Sequence, residues 1–189
     1  MPIPAVILAA GASRRLGYPK QALLWDGEPL LHRTARVALE AGFAPVSVVV
    51  GAAMDASLAA LKGLPVQVVA NPEWEEGMGA SIRAGMAALV PQAPAVLLLV
   101  CDQPGVSRAL LDEIAERHRQ TPDRVVASVY AGIRGVPALF PARRFAELRA
   151  LCGDRGARSL LQGNDIQEVP FPEGARDVDT PADVLPEQK

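Results

Sequence analysis

The sequence predicts an α/β protein, a three-layer α/β/α sandwich built on a Rossmann-like, mostly parallel sheet. Three observations predict it. Apolar runs of strand length alternate with stretches of helical length. The runs are apolar on both faces, as in strands covered by helices on each side. One of them ends in a turn of small and cationic residues, the kind of turn that meets ligands at the carboxyl edge of such a sheet. At 189 residues and 50% hydrophobic, the chain can bury one sizeable core and not two. It is therefore read as one domain over 1–189.

The first strand spans 5–9 and delivers the turn LAAGASRRLGYPK (8–20) to the sheet edge. A helix over 30–41 follows, closed by Gly42 as a C-terminal glycine. Strands at 45–50, 66–70 and 95–101 alternate with helices at 52–62 and 80–89, the second entered through the turn of Gly77, Met78, Gly79 and Ser81. Pro104 stops the 95–101 strand from continuing, and Ser107 caps a helix running to 120. Leu110, Leu111, Ile114 and Ala115 form its buried face, while Asp112, Glu113, Glu116, Arg117 and Arg119 cover the others. A strand at 124–130 completes the regular part. Beyond it the pattern loosens to GVPALF, a helix over 142–151, the loop GDRGAR and DVDTPAD. The segment 131–183 is read as a substrate-side extension of the same domain, and 186–189 as a frayed end.

Composition narrows the function. Nineteen Lys and Arg stand against 21 Asp and Glu, a net charge of −2, which leaves no general basic surface for nucleic acid. Two cysteines, Cys101 and Cys152, make neither a disulfide framework nor a four-ligand zinc site. Each is expected as a buried or half-buried thiol in a reducing cytoplasm. Pro2 and Pro4 break the apolar start, so no secretory signal is expected. The longest apolar stretch, 93–101, falls far short of the ~20 residues of a membrane span.

The turn carries the chemistry. Gly11 lets backbone N–H groups approach an anion, and Arg15 and Lys20 supply charge that backbone dipoles alone do not. A P-loop is excluded, because Gly11 and Gly17 are one residue too far apart and Lys20 follows Pro19. The dinucleotide fingerprint also fails, with Ala9 and Ile82 where glycine is required. A triphosphate suits what remains. The planar fork of Arg15 fits the β- and γ-phosphates, and the compact charge of Lys20 fits the α-phosphate. Asp102, at the end of a strand, offers a hard oxygen for magnesium. Arg14 is read as a solvated neighbour, His32 and His118 as ordinary helix residues, and Trp25 and Trp74 as packing.

The motif LAAGxSxRxGxxK, matched by Leu8, Ala9, Ala10, Gly11, Ser13, Arg15, Gly17 and Lys20, resembles the opening of the MobA-like nucleotidyltransferases. The resemblance continues through NPEWEEGMGAS (71–81), CDQP (101–104), GVPALF (135–140), GDRGAR (153–158) and DVDTPAD (177–183). It is closest to the molybdenum cofactor (molybdopterin) cytidylyltransferases. Leu16 departs from it, since methionine is common there. The resemblance implies the nucleotide-diphospho-sugar transferase type of fold. It implies magnesium-dependent transfer of CMP from CTP to the terminal phosphate of molybdopterin, with release of pyrophosphate and a recipient molybdoenzyme downstream.

By the same resemblance Leu8, Ala9, Ala10, Gly11, Ser13, Arg15 and Lys20 bind nucleotide together with Gly77, Met78 and Ser81. Asp179 becomes the second metal carboxylate beside Asp102, although Asp179 or Thr180 would also serve as a helix cap. Gly135, Pro137 and Arg158, or Arg155 in its place, fall on the acceptor side. Ala10 matters for the base: cytidine-using members resemble this chain in Leu-Ala-Ala-Gly, where guanosine-using ones tend to carry Leu-Ala-Gly-Gly. Alternatives on this scaffold are another nucleotide, a sugar or polyol phosphate acceptor, or a non-catalytic carrier of the cofactor.

Overall fold

The computed structural model describes residues 2–184; the 186–189 end lies outside the described residues. In chain order the elements are β1 (Ala5–Ala9), β2 (Leu24–Trp25), β3 (Glu28–Pro29), α1 (Leu30–Glu40), β4 (Val46–Val50), α2 (Met54–Ala60), β5 (Gln67–Ala70), α3 (Met78–Ala87), β6 (Ala95–Val100), α4 (Arg108–Gln120), β7 (Val125–Tyr130), β8 (Ile133–Pro141), α5 (Phe145–Arg149) and β9 (Ile166–Pro170). Seven strands form one sheet in the order β5-β4-β1-β6-β8-β7-β9, and β2 pairs with β3 separately. β5, β4, β1 and β6 run parallel, β8 runs antiparallel to both its neighbours, and β9 is parallel to β7.

The pleat explains the three layers. Ala5, Ile7 and Ala9 of β1 face one core with Leu31, Ala35 and Ala38 of α1 and Leu111 and Ile114 of α4. Val6 and Leu8, followed by Ala10, face the other with Ile82 and Met86 of α3 and Phe145 and Leu148 of α5. Both faces of β1 are thus dry, which is why its sequence shows no alternation. Ser107 caps α4 by accepting from the Leu110 N–H at 3.3 Å. Gly42, at φ +81°, ends α1 by donating to the Leu39 carbonyl at 3.0 Å.

The 131–183 segment contributes more than a substrate-side extension: β8 lies inside the sheet, between β6 and β7. Gly135 and Pro137 interrupt its apolar run and hide the strand. The signal was the turn before it. Ala131 (φ +48°) and Gly132 (φ +73°) form a two-residue hairpin loop between Tyr130 and Ile133, the geometry that tight hairpins require. The turn at 77–81 is also corrected, because α3 already begins at Met78, directly after Gly77. The expected 142–151 helix divides into a 3-10 turn, Ala142–Arg144, and α5.

Cys101 is buried, which pushes its thiol up to about 12. Cys152 is exposed, contrary to expectation. Its backbone does the packing: a Cβ on Gly79 would stand 2.7 Å from Cys152 Cα. Among the described residues no helix is long and apolar enough to cross a membrane.

A smaller apolar cluster positions the site. Leu16 of the turn, Leu23 and Trp25 at β2 and Leu30 at the start of α1 pack with Val178 and Val184. Arg176 stacks over Trp25, 4.7 Å from the ring centroid. Leu16, 3% exposed, fills the slot where the resemblance led one to expect methionine. The turn after β1 and the DVDTPAD segment are therefore held together by packing, independently of any charge.

Candidate active site

The turn after β1 is cross-linked from within. Leu16 and Gly17 donate to the Ser13 carbonyl at 3.0 and 3.1 Å, and Ser13 sits at φ +51°, a left-handed conformation that a serine adopts at a cost. The Ser13 hydroxyl accepts from the Lys20 N–H at 3.1 Å. Nothing lies within 4 Å of where a Gly11 Cβ would stand, so the outer face of the turn is open to an anion. Arg14 is exposed.

Lys20 turns its side chain to the sheet edge. Its ammonium donates to Asp102 Oδ2 at 2.5 Å and to Asp179 Oδ1 at 3.0 Å, and Arg15 donates to Asp179 Oδ2 at 2.9 Å. One backbone bond explains why two carboxylates so distant in sequence meet: the Val178 N–H donates to the Asp102 carbonyl at 2.9 Å. The capping alternative for Asp179 is settled as well. Thr180 caps the Pro181–Asp183 turn with Asp183 reciprocating, which leaves the Asp179 carboxylate to the two cations. Burial works against the Lys20 charge, but attraction to Asp102 and Asp179 outweighs it and holds its pKa above the ordinary lysine value. Burial and the nearby Asp102 push the Asp177 carboxyl above its ordinary range.

Asp102 and Asp179 are hard-oxygen donors converging on the Lys20 ammonium beside the turn, a donor set that fits magnesium or manganese. Among the described residues no three His, Cys, Asp or Glu side chains gather to hold a metal by themselves. Substrate phosphates would have to complete the shell, as is usual for magnesium.

These groups line a cleft of about 820 Å³ that also takes in Leu8, Met78, Gly135 and Arg158. Other expected residues lie behind its wall. Ala9 and Ala10 are buried; a Cβ on Gly51 would stand 2.9 Å from the Ala10 methyl and 2.7 Å from Trp74 Cβ. Ser81, inside α3, accepts from the Asn71 side-chain amide at 3.1 Å. Pro137 is buried in β8, and its carbonyl accepts from the Ser128 hydroxyl at 2.8 Å. The end wall is an interlock of two motifs. A Cβ on Gly77, which has φ +107°, would stand 2.8 Å from the Gly153 carbonyl carbon, and one on Gly156 would meet the Met78 sulfur.

Three polar residues were not anticipated. Gln103, 2% exposed, donates to the Tyr130 hydroxyl at 3.2 Å and lines the cleft with it. Gln103 stood in the CDQP motif beside Asp102, whereas Tyr130 gave no signal beyond its place at the end of a strand. Gln21, 1% exposed, lies beneath the turn.

Residues 5–169 match the MobA-like NTP transferase domain. The chain belongs to that family. The enzyme is a nucleotidyltransferase of MobA-like type, and two curated relatives match it over more than nine-tenths of the chain. A nicotine blue oxidoreductase of Paenarthrobacter nicotinovorans is 34% identical, over 94% of this chain and 92% of its own length. A probable molybdenum cofactor guanylyltransferase of Opitutus terrae is 30% identical, over 92% of this chain and 87% of its own. Rv0371c of Mycobacterium tuberculosis H37Rv, in a crystal structure in complex with manganese, is 31% identical with a TM-score of 0.80, covering 97% of this chain and 96% of that one.

Proposed function

We propose that this enzyme transfers CMP from CTP to the terminal phosphate of molybdopterin and releases pyrophosphate. The observation that carries the reading is the Lys20 ammonium shared by Asp102 and Asp179 at the mouth of the turn. A cation at the α-phosphate opposite a pair of metal carboxylates serves group transfer, and simple storage of a cofactor does not need it. Molybdopterin as acceptor is supported by the motifs and by the relative from Opitutus terrae, whose name carries the molybdenum cofactor. Use of a nucleoside triphosphate would place the enzyme in the cytoplasm.

Attack of one phosphate on another brings anion to anion, so catalysis is mainly positioning and charge stabilisation. Arg15 and the open face of Gly11 hold the β- and γ-phosphates, and Ser13 keeps the turn folded around them. Lys20 moves from its carboxylates to the α-phosphate. Asp102 and Asp179 would hold the metal, which when bound would neutralise phosphate charge. Arg158 and Gly135 face the acceptor, while Pro137 shapes β8 behind them. An acceptor phosphate oxygen bonds to the α-phosphorus, the bond from that phosphorus to the β-phosphate bridging oxygen breaks, and pyrophosphate leaves. No covalent nucleophile and no general base are needed. Pyrophosphate release across a panel of phosphorylated acceptors tests the reading: molybdopterin should turn over fastest, and a faster sugar or polyol phosphate would overturn the acceptor.

CTP is favoured by Ala10 in Leu8-Ala9-Ala10-Gly11, and GTP is the competing nucleotide because the Opitutus terrae relative bears a guanylyltransferase name. The Ala10 methyl packs beside Gly51 behind the cleft wall, and Met78, which lines the cleft, would meet the base in front of it with Ser81 held to Asn71 behind. Ala10→Gly, which removes a methyl from behind the cleft wall, is expected to raise GTP efficiency relative to CTP by less than about tenfold, at the low end of the ~1–3 kcal/mol that a methyl in direct contact with a substrate is worth. Competition of both nucleotides in one reaction measures the ratio. An unchanged ratio in active enzyme moves base selection elsewhere.

A further inference from the structure

Gln21 follows Lys20 in the same 3-10 turn, Lys20–Ala22, yet its side chain goes the opposite way. Its amide nitrogen donates to the Ala9 carbonyl at 2.7 Å and to the Gly11 carbonyl at 3.0 Å. Both amide hydrogens are thereby used on the two carbonyls that bracket the bend out of β1. The amide oxygen is buried with no protein partner, an arrangement that costs stability. A side chain kept here for packing alone would be apolar. Glutamine instead spends its donors on the backbone of the turn.

The consequence follows from peptide geometry. In a planar trans peptide the C=O and N–H vectors point in opposite directions. Drawing the Gly11 carbonyl inward to Gln21 turns the Ala12 N–H the opposite way, away from Gln21, and no atom crowds the position of a Gly11 Cβ beside it. The same side chain fixes the distance between β1 and the 3-10 turn from which Lys20 reaches Asp102 and Asp179. We propose that Gln21 is a positioning residue for nucleotidyl transfer, presenting the backbone donors of the turn, and Lys20 with them, to the phosphates of the incoming nucleotide. This rests on the reading that the turn receives the triphosphate.

Titration calorimetry with inorganic pyrophosphate and with CTP, in the presence of manganese, tests it on Gln21→Leu, which keeps the bulk and removes the donors. Affinity for both should fall about ten- to a hundredfold, as for lost partners that orient binding groups. KM for CTP should rise more than kcat falls in the folded fraction, while melting reflects two opposed changes, two carbonyls that lose their donors and an unpaired oxygen that is gone. A merely structural role would lower melting and leave the constants of the folded fraction intact. Equal affinities in the variant and the unaltered enzyme would overturn the inference alone. Failure of the unaltered enzyme to bind either probe would overturn the reading beneath it and the inference too. Should the leucine variant melt early, Gln21→Asn, whose amide is drawn back by one methylene, decides in the same titration: weaker binding supports the role and unchanged binding overturns it.

Discussion

Asp102→Asn is expected to reduce turnover by roughly 10²-fold or more while the protein stays folded, the scale of a preorganised electrostatic contribution to phosphoryl chemistry. The Asp102 carboxylate contacts Lys20 at 2.5 Å, but its link to the rest of the fold is the backbone bond from Val178, which asparagine keeps. The amide retains the shape and loses the hard anion that magnesium requires. Metal-dependent CTP binding should weaken in parallel, measured by manganese titration with circular dichroism as the control on folding. An unchanged metal titration in folded protein would remove Asp102 from the metal site.

Lys20→Ala should lower turnover by about 10²–10³, with Arg15→Ala acting more through triphosphate binding. A second effect separates this residue from a merely structural lysine. In the free enzyme its ammonium lies between Asp102 and Asp179; removing it leaves two partly buried carboxylates without that counter-charge. The variant should therefore bind manganese more tightly than the unaltered enzyme when no nucleotide is present, read by electron paramagnetic resonance of the free ion. Lower turnover with tighter metal binding is the expected pair of results. Near-normal turnover would take Lys20 out of the mechanism.

Much of this was legible in the sequence because it depended on local signals. The double-faced apolar runs of β1, β4 and β6 could only be central strands, and Ser107 and Gly42 marked helix ends by side chain and by backbone freedom. The candidate site was legible where a motif put a charge just past a strand end, as with Asp102 after β6, or in the turn that follows one, as with Lys20. What stayed hidden depended on partners far away in the chain. β8 is a strand because β6 and β7 flank it, although Gly135 and Pro137 weaken its own pattern. Asp179 meets Lys20 because Val178 is tied to Asp102, far away in the chain, while Thr180 and Asp183 cap the following turn locally. Gln21 reads as one more polar residue after Lys20 until the turn folds back over it. Ser81 and Pro137 show the converse: motif position marked them, and their side chains lie behind the cleft wall.

The transfer itself is the decisive observation. Incubation of the enzyme with each of the four nucleoside triphosphates, magnesium and molybdopterin cofactor, followed by mass analysis, reads donor and acceptor together. We expect a product heavier by one cytidylyl group, formed with CTP and accompanied by one pyrophosphate per product. A guanylylated product, or cofactor bound intact with no pyrophosphate released, would contradict cytidylyl transfer at this site.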